Sequence, residues 1–347
     1  MSKNKNTKFD DPVTKEVIKK YGHVVRAGID VFEESSNLKV ISVSPALDVA
    51  LGGGIREGSW VIFTGEPKTG KTTTALHFAA NCQKEENGSR PVIFINAEGR
   101  LKSMNLGGVK GLDIEKIRVV ESDAEPMSAE EYLDIVVKYV SKEPECVVII
   151  DSASALIPER ELIEDVSGQF RAGLPKILAA FTRRLSNVVT KQRAIIILIT
   201  HFIANTSGMG RKTKLADGGK KIQYQADTNM VIEYIKSWES GGRSIGQQIN
   251  WKVLCSSSGG FPGSTAQGWL RYGVGVDSIQ ELLMMGIEFG IISKAGAWYS
   301  CNFLENHGEK YSEMSEEKFQ GQDKLYNFIE QNPDVMNLLN EELKAIL

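Results

Sequence analysis

The stretch GEPKTGKT, residues 65–72, has the residue types and spacing to hold a phosphate. Gly65 and Gly70 let backbone N–H groups turn inward around an anion, and a helix starting there adds the positive end of its dipole. Lys71 would reach the β- and γ-phosphates of a nucleoside triphosphate, and the Thr72 hydroxyl would face Mg2+. The expected nucleotide site is therefore Gly65, Glu66, Pro67, Lys68, Thr69, Gly70, Lys71, Thr72 and Thr73, with ATP and Mg2+ as the groups held. Two carboxylates fit the same chemistry. Asp151 ends the apolar run VVIID, where it would meet the cation or its water shell beside Thr72. Glu98 follows the run VIFIN, where it can orient and deprotonate the water that attacks a γ-phosphate. A glutamate at such a place can equally be a surface residue in a loop.

These residues need a frame that brings distant segments to one edge. The runs Trp60–Thr64, Val92–Ala97, Val147–Ile150 and Ala194–Thr200 are almost unbroken by polar residues, as expected of parallel strands buried on both faces. Helical patterns near 72–85, 128–142 and 171–191 separate them, which predicts an α/β domain with helices on both faces. Met230–Ile235 is a fifth run. Gln248–Leu254 and Gln267–Tyr272 alternate apolar and polar and read as an antiparallel extension of the sheet. Asp11-Pro12 reads as an N-cap and first helical residue. The helix that follows carries Val13, Val17, Ile18 and Tyr21 on one face, to pack on its own domain or on a neighbouring subunit. From Val276 onward the pattern is a small α+β appendage. It includes the helical DSIQELLMMGIEFGII, the turn and strand SKAGAWYSC, and a last helix after Asn332-Pro333 lined by Val335, Leu338, Leu339, Glu342, Leu343 and Ile346.

Composition narrows the class. The chain has 347 residues, 41% hydrophobic and 24% charged, enough to bury a sizeable core. The net charge of −3 makes no global claim on nucleic acid, so any polyanion site must be a local basic patch. Cys82, Cys146, Cys255 and Cys301 show no C-x-x-C pairing and read as reduced thiols, with no zinc site. The polar start MSKNKNTKFDD has no apolar signal-peptide core, and no run approaches membrane-spanning length. The expectation is a soluble cytoplasmic protein without a membrane partner.

Together the motifs resemble the RecA family of DNA strand-exchange recombinases from about residue 40 to the end. SPALDVALGGGIREGSWVIFTGEPKTGKTT is similar to the family's entry into its ATP site, FINAE to the strand carrying its catalytic glutamate, and VVIIDSASALIP to its Walker B segment. ISKAGAWYS and NPDVMNLLNEELKAIL resemble its C-terminal domain, a match that a phosphate loop alone would not supply. The resemblance implies a RecA-type P-loop ATPase core with a mostly parallel central sheet flanked by helices. It also implies a short N-terminal polymerisation helix and a small α+β C-terminal domain, with divisions at 1–38, 39–274 and 275–347.

The resemblance makes Glu98 the general base, beside Lys71 and His201 as catalytic residues, with Thr72 and Asp151 at the metal. His201 stands where bacterial members have a glutamine that senses the γ-phosphate, and UvsX-type phage recombinases are similar in having histidine there. Two DNA loops follow from it. The first is residues 162–173, where Arg171 stands out. The second follows Thr200 and carries Arg211, Lys212, Lys214, Gly218, Gly219, Lys220 and Lys221, opposed only by Asp217. A charge run is usually a solvated face. After a core strand of an ATPase, it reads as a grip on the phosphate backbone. In bacterial members two lysines cross the subunit interface to the neighbour's ATP, but here the chain reads VLCSSSGGF. Cys255 and Ser256–Ser258 cannot supply that charge, and Lys252, Arg243 or a bound monovalent cation are the candidates to replace it.

The implied function is DNA-stimulated ATP hydrolysis, helical filaments on single-stranded DNA, and strand exchange with homologous double-stranded DNA. The implied location is the cytoplasm of a bacterial cell or a phage-infected host. A RecA-fold ring helicase or motor shares the ATP core. A non-catalytic filament protein that regulates recombination would tolerate the missing lysines.

Overall fold

The computed structural model describes residues 9–22, 24–163, 173–204, 214–216 and 220–346, without the side chains of 203, 204, 214–216, 220 and 221. The chain forms two compact units, residues 1–39 and 40–347. In the first, the helix Pro12–Tyr21 starts where the sequence places it: the Asp11 carboxylate accepts the Thr14 N–H at 2.9 Å. None of its residues is buried, and Val13 and Tyr21 are 69% and 61% exposed. A second helix, Gly28–Ser36, was not legible, because its start has no side-chain cap.

The second unit is built on a nine-stranded sheet. Its strands in chain order are β1 Ser59–Thr64, β2 Val92–Asn96, β3 Ile117–Val120, β4 Val147–Asp151 and β5 Ile195–Thr200, then β6 Thr228–Ser240, β7 Arg243–Cys255, β8 Thr265–Arg271 and β9 Gly275–Val276. Across the sheet the order is β9-β8-β7-β6-β1-β5-β4-β2-β3. Strands β6, β1, β5, β4, β2 and β3 run parallel, and β7, β8 and β9 extend the sheet antiparallel from β6.

The period of two along a strand divides the core into two layers. Val61, Phe63, Phe94, Ile149, Ile197 and Ile199 face the helix Lys71–Gln83 through Leu76, Phe78 and Ala79. Trp60, Ile62, Ile95, Val148, Ile150 and Leu198 face the helices Ala129–Lys142 and Leu174–Gln192 through Val136, Val140, Phe181 and Leu185. Each such side chain contributes roughly 1.5–3 kcal/mol when fully buried, so β1, β2 and β5 admit no charge along their length. Strand β3 was missed because it lies at the sheet edge, with only Ile117 and Val120 half-buried and a short, mixed pattern. The run at Met230–Ile235 is the middle of a longer strand, since Glu233–Ser237 leave the core and are exposed.

From Ser278 on, a third apolar cluster gathers Leu283, Ile292, Phe303, Leu304, Phe319, Ile329, Leu339 and Leu343. A three-stranded antiparallel sheet, Ser293–Ala295, Trp298–Ser300 and Lys318–Gln320, lies beside the helices Ser278–Glu288, Gln322–Gln331 and Pro333–Ile346. Of the final helix's expected stripe, Val335, Leu339 and Leu343 are buried, whereas Ile346 is 53% exposed.

The helix Ser278–Glu288 packs on the helix Pro45–Leu51 with carboxylates between them. Glu281 is fully buried and accepts the Ala46 N–H at 3.1 Å, and Asp48 accepts the Val43 N–H at 2.7 Å. Burial pushes Glu281 up to about 8 and Asp48 up to about 7. The folded protein then keeps protons that the unfolded chain releases, so stability is lost as pH rises through this window. The unfolding free energy is expected to fall between about pH 4.5 and 8, and Glu281→Gln to flatten that slope. Denaturant titrations across the window check this; a wild-type midpoint independent of pH contradicts it.

Candidate functional site

Parallel register delivers the site. Thr64 pairs with Thr200 across β1 and β5, and Asn96 with Asp151 across β2 and β4, so four strands end at one edge. A hydrogen bond of 2.9 Å between the Thr64 and Thr200 hydroxyls closes the first pair.

The phosphate loop spans β1 and the helix Lys71–Gln83. Its turn needs glycine at two points. Gly70 has φ +92°, and a Cβ on Gly65 would stand 2.4 Å from the Ile232 carbonyl oxygen of β6. Lys68 also adopts a positive φ, and its carbonyl accepts Gln247 Nε2 of β7 at 3.2 Å. Thr69 is buried and donates to the Glu66 carbonyl at 3.0 Å, while Glu66, Pro67 and Lys68 are exposed. Lys71 folds back over the loop, donating to the Gly65 and Glu66 carbonyls at 3.0 and 2.7 Å. Burial pulls its ammonium below the usual lysine range, against the opposing pull of Asp151, Glu98 and Glu66. Thr73 lies on the first helical turn.

Thr72 donates its hydroxyl to Asp151 Oδ2 at 2.7 Å. Burial raises the Asp151 carboxyl, Thr72 lowers it, and Glu98 adds a repulsion that raises it further. A hydroxyl and a carboxylate converging at one point make an oxygen donor set suited to a hard cation such as Mg2+. Among the described residues no group of three or more His, Cys, Asp or Glu could hold a metal ion.

Glu98 lies beside this pair. Its Oε1 accepts the Ser152 hydroxyl at 2.7 Å and contacts His201 Nε2 at 2.8 Å, while Oε2 has Arg100 Nη1 at 3.8 Å. Burial pushes the carboxyl up, but the bonds from Ser152 and His201, with the Arg100 charge, outweigh it and hold Glu98 below the ordinary range. It is an ionised carboxylate, so His201 Nε2 carries the donated proton. The His201 backbone N–H is held by Ser154 Oγ at 3.1 Å.

Lys71, Thr72, Glu98, Asp151 and His201 are thus gathered within one linked set of contacts. Sequence reasoning missed Ser152, Ser154, Asn96 and Arg100. Asn96 Oδ1 accepts the N–H groups of Arg100 and Leu101 at 3.1 and 3.3 Å and shapes the turn that carries Glu98. Only the adjacency of Ser152 and Ser154 to Asp151 hinted at their part.

The described parts of the segment after His201 form regular elements. Phe202–Ala204 pairs antiparallel with Lys214–Ala216, and a helix begins at Lys220. Lys214, Lys220 and Lys221 lie on these elements by backbone. Arg171, Arg211, Lys212, Gly218 and Gly219 lie outside the described residues. The segment Cys255–Ser258 closes β7: Cys255 pairs with Asn229, which pairs with Ile62 in the middle of β1, and Ser256 donates to the Leu51 carbonyl at 2.6 Å. Lys252 pairs with Val231, and Arg243 sits at the far hairpin end opposite Ser240. Among the described contacts of Glu98 and Asp151, neither takes part.

A model of the RecA N-terminal domain matches residues 11–277, and one of the RecA C-terminal domain matches residues 280–347. The chain belongs to the RecA family. It is similar to Protein RecA of Acholeplasma laidlawii strain PG-8A, with 28% identity over 347 residues that cover 99% of this chain and 98% of that one. Protein RecA of Frankia alni is 29% identical over 94% of this chain and 88% of its own. Protein RecA of Streptomyces rimosus is 30% identical over 88% of this chain and 76% of its own. The RecA fold is present with its mostly parallel sheet and its small C-terminal antiparallel sheet. No helix among the described residues is long and apolar enough to cross a membrane.

Gly65→Ala should force β6 away from the loop, because the obstructing atom is a backbone carbonyl that cannot swing aside. The expected cost is roughly 1–3 kcal/mol of stability, with nucleotide affinity lost in parallel. Denaturation and fluorescent-nucleotide titration check both; a fully stable variant that still binds tightly counts against this packing.

Proposed function

We propose that this RecA family member is an ATP-dependent homologous recombination protein. It polymerises as a helical filament on single-stranded DNA, pairs that strand with homologous duplex, and hydrolyses ATP in a DNA-stimulated reaction. The carrying observation is the 2.8 Å contact between Glu98 and His201, the residue that leads directly into the basic hairpin segment. One side chain thereby touches both the phosphate chemistry and the root of the DNA-binding segment.

In this reading residues 65–73 wrap the phosphates and Lys71 leaves the loop carbonyls for a phosphate oxygen. Thr72 and Asp151 hold Mg2+, which when bound neutralises charge on the β- and γ-phosphate oxygens. Glu98 accepts a proton from the water that attacks the γ-phosphorus; ADP leaves, and the proton passes on with inorganic phosphate. His201 exchanges its Glu98 contact for a γ-phosphate oxygen, and the chain from Phe202 to Lys221 orders around DNA in response. Arg171, Arg211, Lys212, Lys214, Lys220 and Lys221 meet the backbone phosphates, with Gly218 and Gly219 giving the chain room to approach. The exposed helix Pro12–Tyr21 is the polymerisation element, within divisions at 1–38, 39–274 and 275–347. The protein works in the cytoplasm of a bacterial cell or a phage-infected host.

Glu98→Gln should lower ATP turnover about 10²–10⁴-fold while ATP still binds. Turnover equal to wild type removes Glu98 as the base, and a wild type without turnover favours a regulatory filament protein. Affinity for single strands should rise with a non-hydrolysable ATP analogue. It should fall with salt at a logarithmic slope of about −3.5 per subunit if all five basic side chains of the second loop engage. Equal binding with and without nucleotide excludes the coupling. His201→Ala should weaken DNA binding and make it independent of nucleotide while nucleotide affinity persists; retained ATP-dependence leaves His201 a structural residue.

A further inference from the structure

Phosphoryl transfer to water needs positive charge beyond the loop lysine, because the γ-phosphoryl group and the leaving β-phosphate both carry negative charge in the transition state. The segment Cys255–Ser258 supplies none. The charge must therefore come from elsewhere.

The geometry points to Arg100 as a catalytic residue: a cation supplied in cis to the transferring phosphoryl group. This rests on the ATPase reading above. Three observations carry it. Arg100 follows Glu98 by two residues, and its backbone N–H is fixed by Asn96 Oδ1 at the end of β2, so the side chain is rooted at the chemical edge of the sheet. Its guanidinium stands 3.8 Å from Glu98 Oε2, the oxygen left open once Ser152 and His201 occupy Oε1. Among the described residues it is the only lysine or arginine ion-paired with Glu98.

The pair is also loose. Arg100 is 82% exposed, and an exposed ion pair at that distance is worth little. The guanidinium is therefore free to leave one carboxylate for a triphosphate of higher charge, whose oxygens its planar fork of N–H donors can meet two at a time. Moving onto the phosphoryl oxygens, it would also uncover Oε2, the oxygen available to take the proton of the attacking water. Lys71 already serves the phosphates from within the loop, so it does not supply this second charge.

The test compares binding of ADP with aluminium fluoride, which imitates the transferring group, against binding of ATPγS, using the full chain on single-stranded DNA. Arg100→Ala should weaken the fluoroaluminate complex and lower kcat by about 10²-fold or more, with ATPγS affinity within about threefold of wild type. Arg100→Lys should recover only part, since an ammonium lacks the fork. Fluoroaluminate affinity unchanged in Arg100→Ala overturns the assignment, and so does an equal loss for both ligands, which would mean ordinary ground-state binding. A wild type without turnover, or a Glu98→Gln variant as active as wild type, instead overturns the underlying reading, so the two failures are told apart. Arg100 lies on the surface, and an unchanged melting temperature shows that the variants fold.

Discussion

Everything at the candidate site depends on the parallel register of buried strands. β1, β2 and β5 are buried along their whole length, and a charge placed within them would cost several kcal/mol unless paired. Polar chemistry can enter only where the strands stop. Because β1, β5, β4 and β2 run the same way and stay in register, they stop together. Thr64, Asp151, Asn96 and Thr200, far apart in the chain, become neighbours on one edge.

That edge is electrostatically poised. Burial pulls the Lys71 ammonium down and pushes the Asp151 carboxyl up, so each charge is maintained at a cost that a phosphate or a cation would relieve. Glu98 differs, because Ser152 and His201 donate to it and keep it ionised despite its partial burial. Asp151 and Ser152 are consecutive, so one strand end supplies both the cation-facing carboxylate and the hydroxyl that holds the proposed base.

The same geometry ties the site to the segment that follows it. The hairpin after His201 continues directly from β5, so the proposed phosphate-to-DNA signal runs through covalent chain within a single subunit. Residues 255–258 close β7 and bring no positive charge.

Much of this was legible in the sequence, and the part that was not has a physical cause. Residues 65–72 announce themselves because the phosphate turn demands glycine and lysine at fixed spacing, and the four apolar runs announce themselves because strands buried on both faces exclude polar residues. The helix Gly28–Ser36 and the edge strand Ile117–Val120 went unread because neither has a strong cap or a continuous apolar signal. The hairpin stems within 202–216 were hidden by a polar composition that also suits a loop. The sequence by itself determined the RecA-type core and marked Lys71, Thr72 and Asp151 as candidates, because local backbone demands and strand-end carboxylates are written in short stretches, while Glu98 and His201 became candidates through the family resemblance. Only the tertiary structure decided that Glu98 Oε1 is shared by Ser152 and His201 and that Arg100 stands at the remaining oxygen. Those depend on which strand lies beside which and at what register, and no single stretch of the chain carries that information.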